Sequence, residues 1–461
     1  MNAFTPAIRA SLLLDATKGA SLRRWSIRDL LDFNPTTSDG RTGDHDAAAG
    51  VESLLREVQI RLAVQHSKLS SFSTSINDGE GWRSANDGGS ARRRSGVDDA
   101  ERRAARARLV SLMQLHENTY LLPHRIVDGD WRGLLEDFDK KPNRKYVSGV
   151  FDEIMSRHGS SVEALADAVI HARNGGGTEE RRCDAPDELL PRTTGGGYPS
   201  SEEVPIFLRN ESIESFLHSR LMIQLLCDHY ISMGKGKSTG AIALGADVAG
   251  VIDDAATEAR HVCDANLGVA PEFRVLRPED EDGAMVGEMI STPPPIIRSW
   301  LHHAIVEVIK NAMTSNVQRH FSTRRSEGEG SMPPDVDISF GTEMMTMGGD
   351  RTAENSKKYL KIRITDRGIG LEDKEQAFGF ARSSSRKRWD RLEEQQSYAA
   401  VRQPLGSLGV GLPLSRLMLR VFGGDLDISN NINGEDGECG IGGGCTATLT
   451  ISYDDTHIAE N

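Results

Sequence analysis

The stretch Leu301-His-His-Ala-Ile-Val-Glu-Val-Ile-Lys-Asn-Ala-Met-Thr-Ser-Asn316 decides how this chain is read. Leu301, Ala304, Ile305, Val308, Ala312 and then Val317 recur at helical spacing, which predicts one stripe turned toward a core. His303, Glu307 and Asn311 stand four residues apart and so stack on a second face of the same helix. An imidazole, a carboxylate and an amide in one line suit a docked polar ligand. One reading is a magnesium–nucleotide site. Asn311 would offer its amide oxygen to Mg²⁺, a hard cation that prefers oxygen ligands. Glu307 would take a proton from an attacking hydroxyl, His303 would orient that carboxylate, and Lys310 would hold negative charge nearby. The competing reading is a surface helix with an ordinary Glu–Lys pair.

Residues further along bear on the choice. Lys358–Asp366 alternates apolar and polar side chains like a strand and runs into Asp366-Arg367-Gly368-Ile369-Gly370. An acceptor beside two glycines at a strand end lets backbone come close to a flat ligand. A second cluster, Gly406-Ser407-Leu408-Gly409-Val410-Gly411-Leu412, leads into a helical pattern over Pro413–Phe422, and helix N-termini bind phosphate through backbone N–H groups. Neither cluster is a Walker loop or sits in a dinucleotide-binding βαβ unit.

Helix with Glu-x-x-x-Asn, then Asp-x-Gly-x-Gly, then Gly-x-Gly-Leu, in that order, resembles the ATP-binding domain of the GHKL superfamily. Within it, Glu307-Val-Ile-Lys310-Asn311-Ala312-Met313, Asp366-Arg367-Gly368-x-Gly370, Pro404-Leu405, Gly409-x-Gly411-Leu412-Pro413-x-Ser415-Arg416 and Gly423-Gly424-Asp425-Leu426 are similar to mitochondrial pyruvate dehydrogenase kinases and branched-chain 2-oxoacid dehydrogenase kinases. The resemblance implies an α+β two-domain chain, an N-terminal helical bundle followed by a GHKL-type α/β sandwich with a mixed sheet. It implies a protein serine/threonine kinase of the mitochondrial matrix that uses ATP and Mg²⁺. Its implied partners are the E1α subunit and the lipoyl domain of the E2 core of a 2-oxoacid dehydrogenase complex, with a homodimer as a further assembly. Implied catalytic residues are Glu307, His303 and Lys310, and the implied metal ligand is Asn311. Nucleotide contacts are implied for Glu307, Asn311, Thr314, Asp366, Gly368, Gly370, Ser383, Ser384, Ser407, Leu408, Gly409, Val410, Gly411, Leu412 and Thr446. Thr314 stands where the family has Arg, Ser407 replaces a Gly, and Gly443–Ala447 only approximates the family's Gly-Thr-x-Ala turn. These departures keep a catalytically weakened nucleotide-binding scaffold open. A chaperone-like ATPase stays open too, as does a histidine kinase, through His116-Glu117 with Pro123 beyond.

The 461 residues suggest two domains. Fifty-five basic against 68 acidic residues give a net charge of −13, which argues against nucleic acid as a main partner. No apolar run has the length of a membrane span. Cys183, Cys227, Cys263, Cys439 and Cys445 lack metal-ligand spacing and fit a reducing compartment. The expected division is a basic, Ser- and Leu-rich transit segment over residues 1–25, a helical bundle over 26–236 and an ATP-binding domain over 237–461. Helices are expected around Trp25, at Val51–Val64, at Ser161–Ala172 and at Ile213–Tyr230, with a disordered insert at 70–106. Gly234–Gly245 reads as the link between domains. Leu371–Gln403 reads as a lid joining the two glycine clusters.

Overall fold

A computed structural model describes residues 6–18, 22–33, 44–78, 96–127, 141–175, 210–276, 290, 292–323, 332–346, 356–382, 409–431 and 443–457. The chain divides into two compact units, residues 1–23 with 38–227, and residues 24–37 with 228–461.

The first unit is helical. It contains α1 (Pro6–Thr17), α3 (Asp44–Asp78), α4 (Gly96–Val127), α5 (Lys141–His158), α6 (Ser161–Gly175) and most of α7 (Asn210–Gly234). Long helices α3 and α4 pack along each other, and α4 packs on α6. Their stripes supply Val51, Leu54, Leu55, Val58, Leu62, Leu109, Leu112, Leu165 and Val169, all buried. The expected disorder at 70–106 is corrected at both ends. Helix α3 continues to Asp78 because Phe72 and Ile76 prolong the Leu69 stripe, and α4 already starts at Gly96. Polar composition hid these turns; a few apolar residues at helical spacing suffice when a neighbouring helix covers them. Residues 79–95 lie outside the described residues.

Helix α1 falls inside the expected transit segment, yet it packs on α3. Leu12 is fully buried, and the nearly buried Asp15 carboxylate accepts from Tyr120 Oη at 2.8 Å, Lys18 Nζ at 2.8 Å and Arg56 Nη2 at 3.1 Å. Cleavage near residue 25 would strip this carboxylate from its partners. Asp15→Ala is expected to lower unfolding free energy by about 2–3 kcal/mol, since it leaves buried donors without an acceptor. Denaturant unfolding measures this; a loss below about 0.5 kcal/mol, the size of an ordinary surface change, would show α1 to be dispensable.

In the second unit, α8 (Val248–Leu267) and α9 (Arg298–Thr323) lie on one face of a five-stranded mixed sheet. The strands are β2 (Phe273–Leu276), β4 (Val336–Thr346), β5 (Ser356–Thr365), β6 (Asp425–Asn430) and β7 (Cys445–Ser452), in spatial order β2-β4-β5-β7-β6. Only the β2–β4 pair is parallel. Leu360, Ile362 and Ile364 alternate inward along β5 against Leu301, Ile305, Val308 and Ile309 of α9. On the opposite face Lys361 and Arg363 both meet Glu343, at 2.6 and 2.7 Å. The expected sandwich with a mixed sheet is therefore present, with β5 and α9 close to their expected positions.

The helix expected near Trp25 exists as α2 (Ile27–Asp32), closed by a Ser26–Asp29 capping box. It does not join the bundle. Arg28 N donates to Asp455 O, and the Arg28 guanidinium meets the Asp455 carboxylate at 2.8 Å, which places α2 in the second unit. The Gly234–Gly245 stretch also belongs there: it carries β1 (Ile242–Ala243), paired antiparallel with β3 (Ile296–Ile297). Among the described residues no helix is long and apolar enough to cross a membrane.

Candidate functional site

Helix α9 carries the expected line of polar residues on the face away from its apolar stripe. Glu307 and Lys310 are both largely buried, and Lys310 Nζ donates to Glu307 Oε1 at 2.5 Å. Oε2 of Glu307 makes no hydrogen bond among the described residues. One turn on, Asn311 is exposed, and its amide is likewise unengaged among them. His303, one turn before Glu307, has a buried Nε2 without a hydrogen-bond partner among the described residues. Burial lowers its pKa, the Glu307 charge opposes that shift, and Lys310 adds to it. The structure thus puts Lys310, rather than His303, in hydrogen-bond contact with the carboxylate. Thr314 turns its hydroxyl back onto its own helix, donating to Lys310 O at 2.7 Å.

The same line of i, i+4 positions ends at Ser315, which meets the first glycine cluster. Strand β5 stops at Thr365 and delivers Asp366 into a nearly buried position. Its Oδ1 accepts from Gly368 N at 2.8 Å and Cys445 N at 3.1 Å, while Oδ2 is left without a hydrogen-bond partner among the described residues. Burial raises the Asp366 pKa, and the two backbone N–H groups and the Arg319 charge hold it back. Gly368 lies flat on α9: a Cβ there would come within 1.9 Å of Ser315 Oγ and 2.7 Å of the Ser315 carbonyl carbon. Gly370 closes the turn. From Glu307 to Ser315 the helix rises about 12 Å.

The second cluster reaches the same region because α11 (Gly411–Arg420) packs on α9. Gly409 has φ +71° and sits on the backbone of Arg382; a Cβ would meet Arg382 O at 2.2 Å. Ala381 N donates to Gly409 O at 2.9 Å, so the chain leaves and returns at one point. Val410 stands at the N-cap of α11 with no side-chain cap among the described residues; in the first turn Pro413 has no N–H and Leu414 N donates to Val410 O at 3.0 Å. Gly411 is buried and Leu412 packs against the core. Ser383, Ser384, Ser407 and Leu408 lie outside the described residues. The lid reading is corrected in its first part, where α10 (Lys374–Ala377) forms behind an Asp373 cap and Phe378 and Phe380 are buried. The Arg416 guanidinium covers the Phe378 ring at 4.3 Å.

Thr446 lies opposite Thr365, beside Asp366. Its hydroxyl donates to Asn431 Oδ1 at 2.7 Å. Asn431 Nδ2 in turn donates to the Asp366 carbonyl at 2.9 Å, and Asn316 of α9 bonds the Arg367 amide at 2.9 Å. Neither asparagine was readable as a site residue, because each acts on a loop remote in sequence. His116 is fully buried and lies 2.8 Å from Leu112 O and 2.9 Å from Gln65 Oε1. A phospho-acceptor must reach solvent, so the observation offers the histidine-kinase reading no support. Among the described residues no three His, Cys, Asp or Glu side chains gather as a metal site.

Residues 297–455 match the family described as histidine kinase-, DNA gyrase B-, and HSP90-like ATPase. This segment is a domain of that family. It contains Glu307, Asn311, both glycine clusters and the last strands, the elements that the site brings together. Over a longer stretch the chain is similar to mitochondrial pyruvate dehydrogenase (acetyl-transferring) kinases. The isozyme 1 of Mus musculus is 28% identical over 239 residues, 50% of this chain and 46% of that protein. The human isozyme 1 is 26% identical over 287 residues, 60% and 53% of the two chains. The Drosophila melanogaster kinase is 25% identical over 297 residues, 61% and 58%. The chain spans about half the length of the curated relatives it matches.

Proposed function

We propose that the chain is a protein serine/threonine kinase of the mitochondrial matrix that uses Mg-ATP to phosphorylate the E1α subunit of a 2-oxoacid dehydrogenase complex. Pyruvate dehydrogenase is the first candidate and the branched-chain complex the second. One observation carries the reading: a helix face with an unengaged carboxylate oxygen at one end abuts, at the other, a loop presenting a second carboxylate with one free oxygen. The relatives' names supply the acceptor class. Docking to a lipoyl domain of the E2 core and a homodimer belong to the same proposal.

The residues fit the nucleotide. Asp366 Oδ2 is an acceptor without a partner among the described residues, suited to the amino group of adenine. Leu412, at the start of α11, offers its backbone amide to a phosphate oxygen. Asn311 would hold Mg²⁺ through its amide oxygen, a hard donor of the kind that cation takes. When bound, Mg²⁺ neutralises charge on the phosphates during transfer. Glu307 takes the acceptor hydroxyl's proton on Oε2 while Lys310 holds Oε1. The hydroxyl oxygen forms its bond to the γ-phosphorus as the bond to ADP breaks.

Incubation with γ-labelled ATP and purified pyruvate or branched-chain dehydrogenase complex tests this. Acid-stable label on E1α is the expected result. Tight ATP binding with label on neither complex would overturn it and favour the scaffold. That second reading has its own observation: Thr314 stands where the resemblance places Arg, and its hydroxyl is spent on α9.

A further inference from the structure

Asp366 reads the base only if the loop that carries it is held still, and α9 holds it with Ser315, at the end of the polar line, and Asn316 beside it. Three successive backbone amides of the loop are each taken. Arg367 N donates to Asn316 Oδ1 at 2.9 Å, Gly368 N to Asp366 Oδ1 at 2.8 Å, and Ile369 N to Ser315 Oγ at 3.0 Å. The loop carbonyls are gripped as well: Arg319 Nη1 donates to Arg367 O at 2.8 Å. Asn316 is fully buried and also donates from Nδ2 to Pro334 O at 2.7 Å, in the approach to β4. One amide side chain therefore ties α9, the start of β4 and the loop after β5. With Oδ1 of Asp366 locked by Gly368 and Cys445, the carboxylate has one orientation, and Oδ2 is the oxygen left to meet a ligand.

We propose that Ser315 and Asn316 are positioning residues for base recognition, and that their clamp on Arg367–Ile369 sets how strongly the site prefers a 6-amino purine. The proposal rests on the nucleotide-site reading. It goes beyond it in assigning the selectivity to two side chains that touch no nucleotide. Removing Asn316 frees the Arg367 amide and the Pro334 carbonyl, and the loop relaxes toward other partners. The carboxylate then loses its aim at the amino group, while contacts to sugar and phosphate stay in place.

The test titrates Mg-ATP and Mg-ITP, whose base carries a 6-oxo group, into the whole wild-type chain, Asn316→Ala and Ser315→Ala. A melting curve without nucleotide accompanies each titration. Asn316→Ala is expected to weaken ATP binding roughly tenfold, the worth of one well-made hydrogen bond, and ITP binding by much less, so the ATP/ITP preference narrows. Ser315→Ala, at a half-buried position with little folding risk, is expected to narrow it by about threefold. A purely structural role would lower the melting temperature and leave the ATP/ITP ratio alone, and that result overturns the proposal. Should Asn316→Ala not fold, an unchanged ratio in Ser315→Ala overturns it equally. Wild type that binds neither nucleotide would remove the site reading itself. Wild type that prefers ATP, with variants that prefer it as strongly, removes only the clamp.

Discussion

Glu307→Gln is expected to slow phosphoryl transfer by about 10²–10⁴-fold, the usual worth of a positioned general base, with Mg-ATP affinity nearly unchanged. Gln has the shape of Glu and still accepts from Lys310, but its amide cannot take a proton. Its neighbour complicates the outcome. Lys310 is largely buried and loses its counter-charge in the variant, which costs stability. The double variant Glu307→Gln with Lys310→Met removes both charges and should recover much of that stability without recovering turnover. Single-turnover rates with saturating nucleotide, together with melting curves, separate the two effects. Wild-type turnover in Glu307→Gln would remove it as the base.

Gly409→Ala is expected to weaken nucleotide binding by about a hundredfold. Two costs combine: left-handed backbone, at roughly 1–2 kcal/mol, and overpacking, at roughly 1–3 kcal/mol. The overpacking is against backbone, because the added Cβ would lie 2.2 Å from Arg382 O and 2.5 Å from Arg382 N. Relief requires moving either Arg382 or the entry to α11, and the proposed function has phosphate at the entry to α11. Gly236→Ala is the control. It has φ +87° with nothing within 4 Å of the added Cβ, so it carries strain without a clash and should leave nucleotide affinity intact. Titration with Mg-ATP reads both variants. Gly409→Ala that binds like wild type would break the link between this glycine and the ligand.

Much of the second unit was legible because its signals are local. The β5 alternation and the α9 stripe each lie within one element, and both elements formed close to where they were expected. The bundle was less legible. Polar residues dominate 70–106, and the few apolar side chains there gain their value only from the helix alongside. Helix α1 was masked by a composition that equally suits a transit segment, and only the meeting of Asp15 with Tyr120 and Arg56 reveals its packing.

The sequence by itself determined the polar line on α9 and the positions of Gly368, Gly370 and Gly409, because helical periodicity and the steric demands on glycine act over a few residues. Tertiary structure alone decided which partner each of these groups has. Glu307 faces Lys310 instead of His303, and α2 sits in the unit with Asp455. Asn316 and Asn431 hold the Asp366 loop across 51 and 65 positions of chain. Hydrogen bonds between residues so distant in the chain leave no period or motif behind, since their geometry exists only once the sheet and helix have packed.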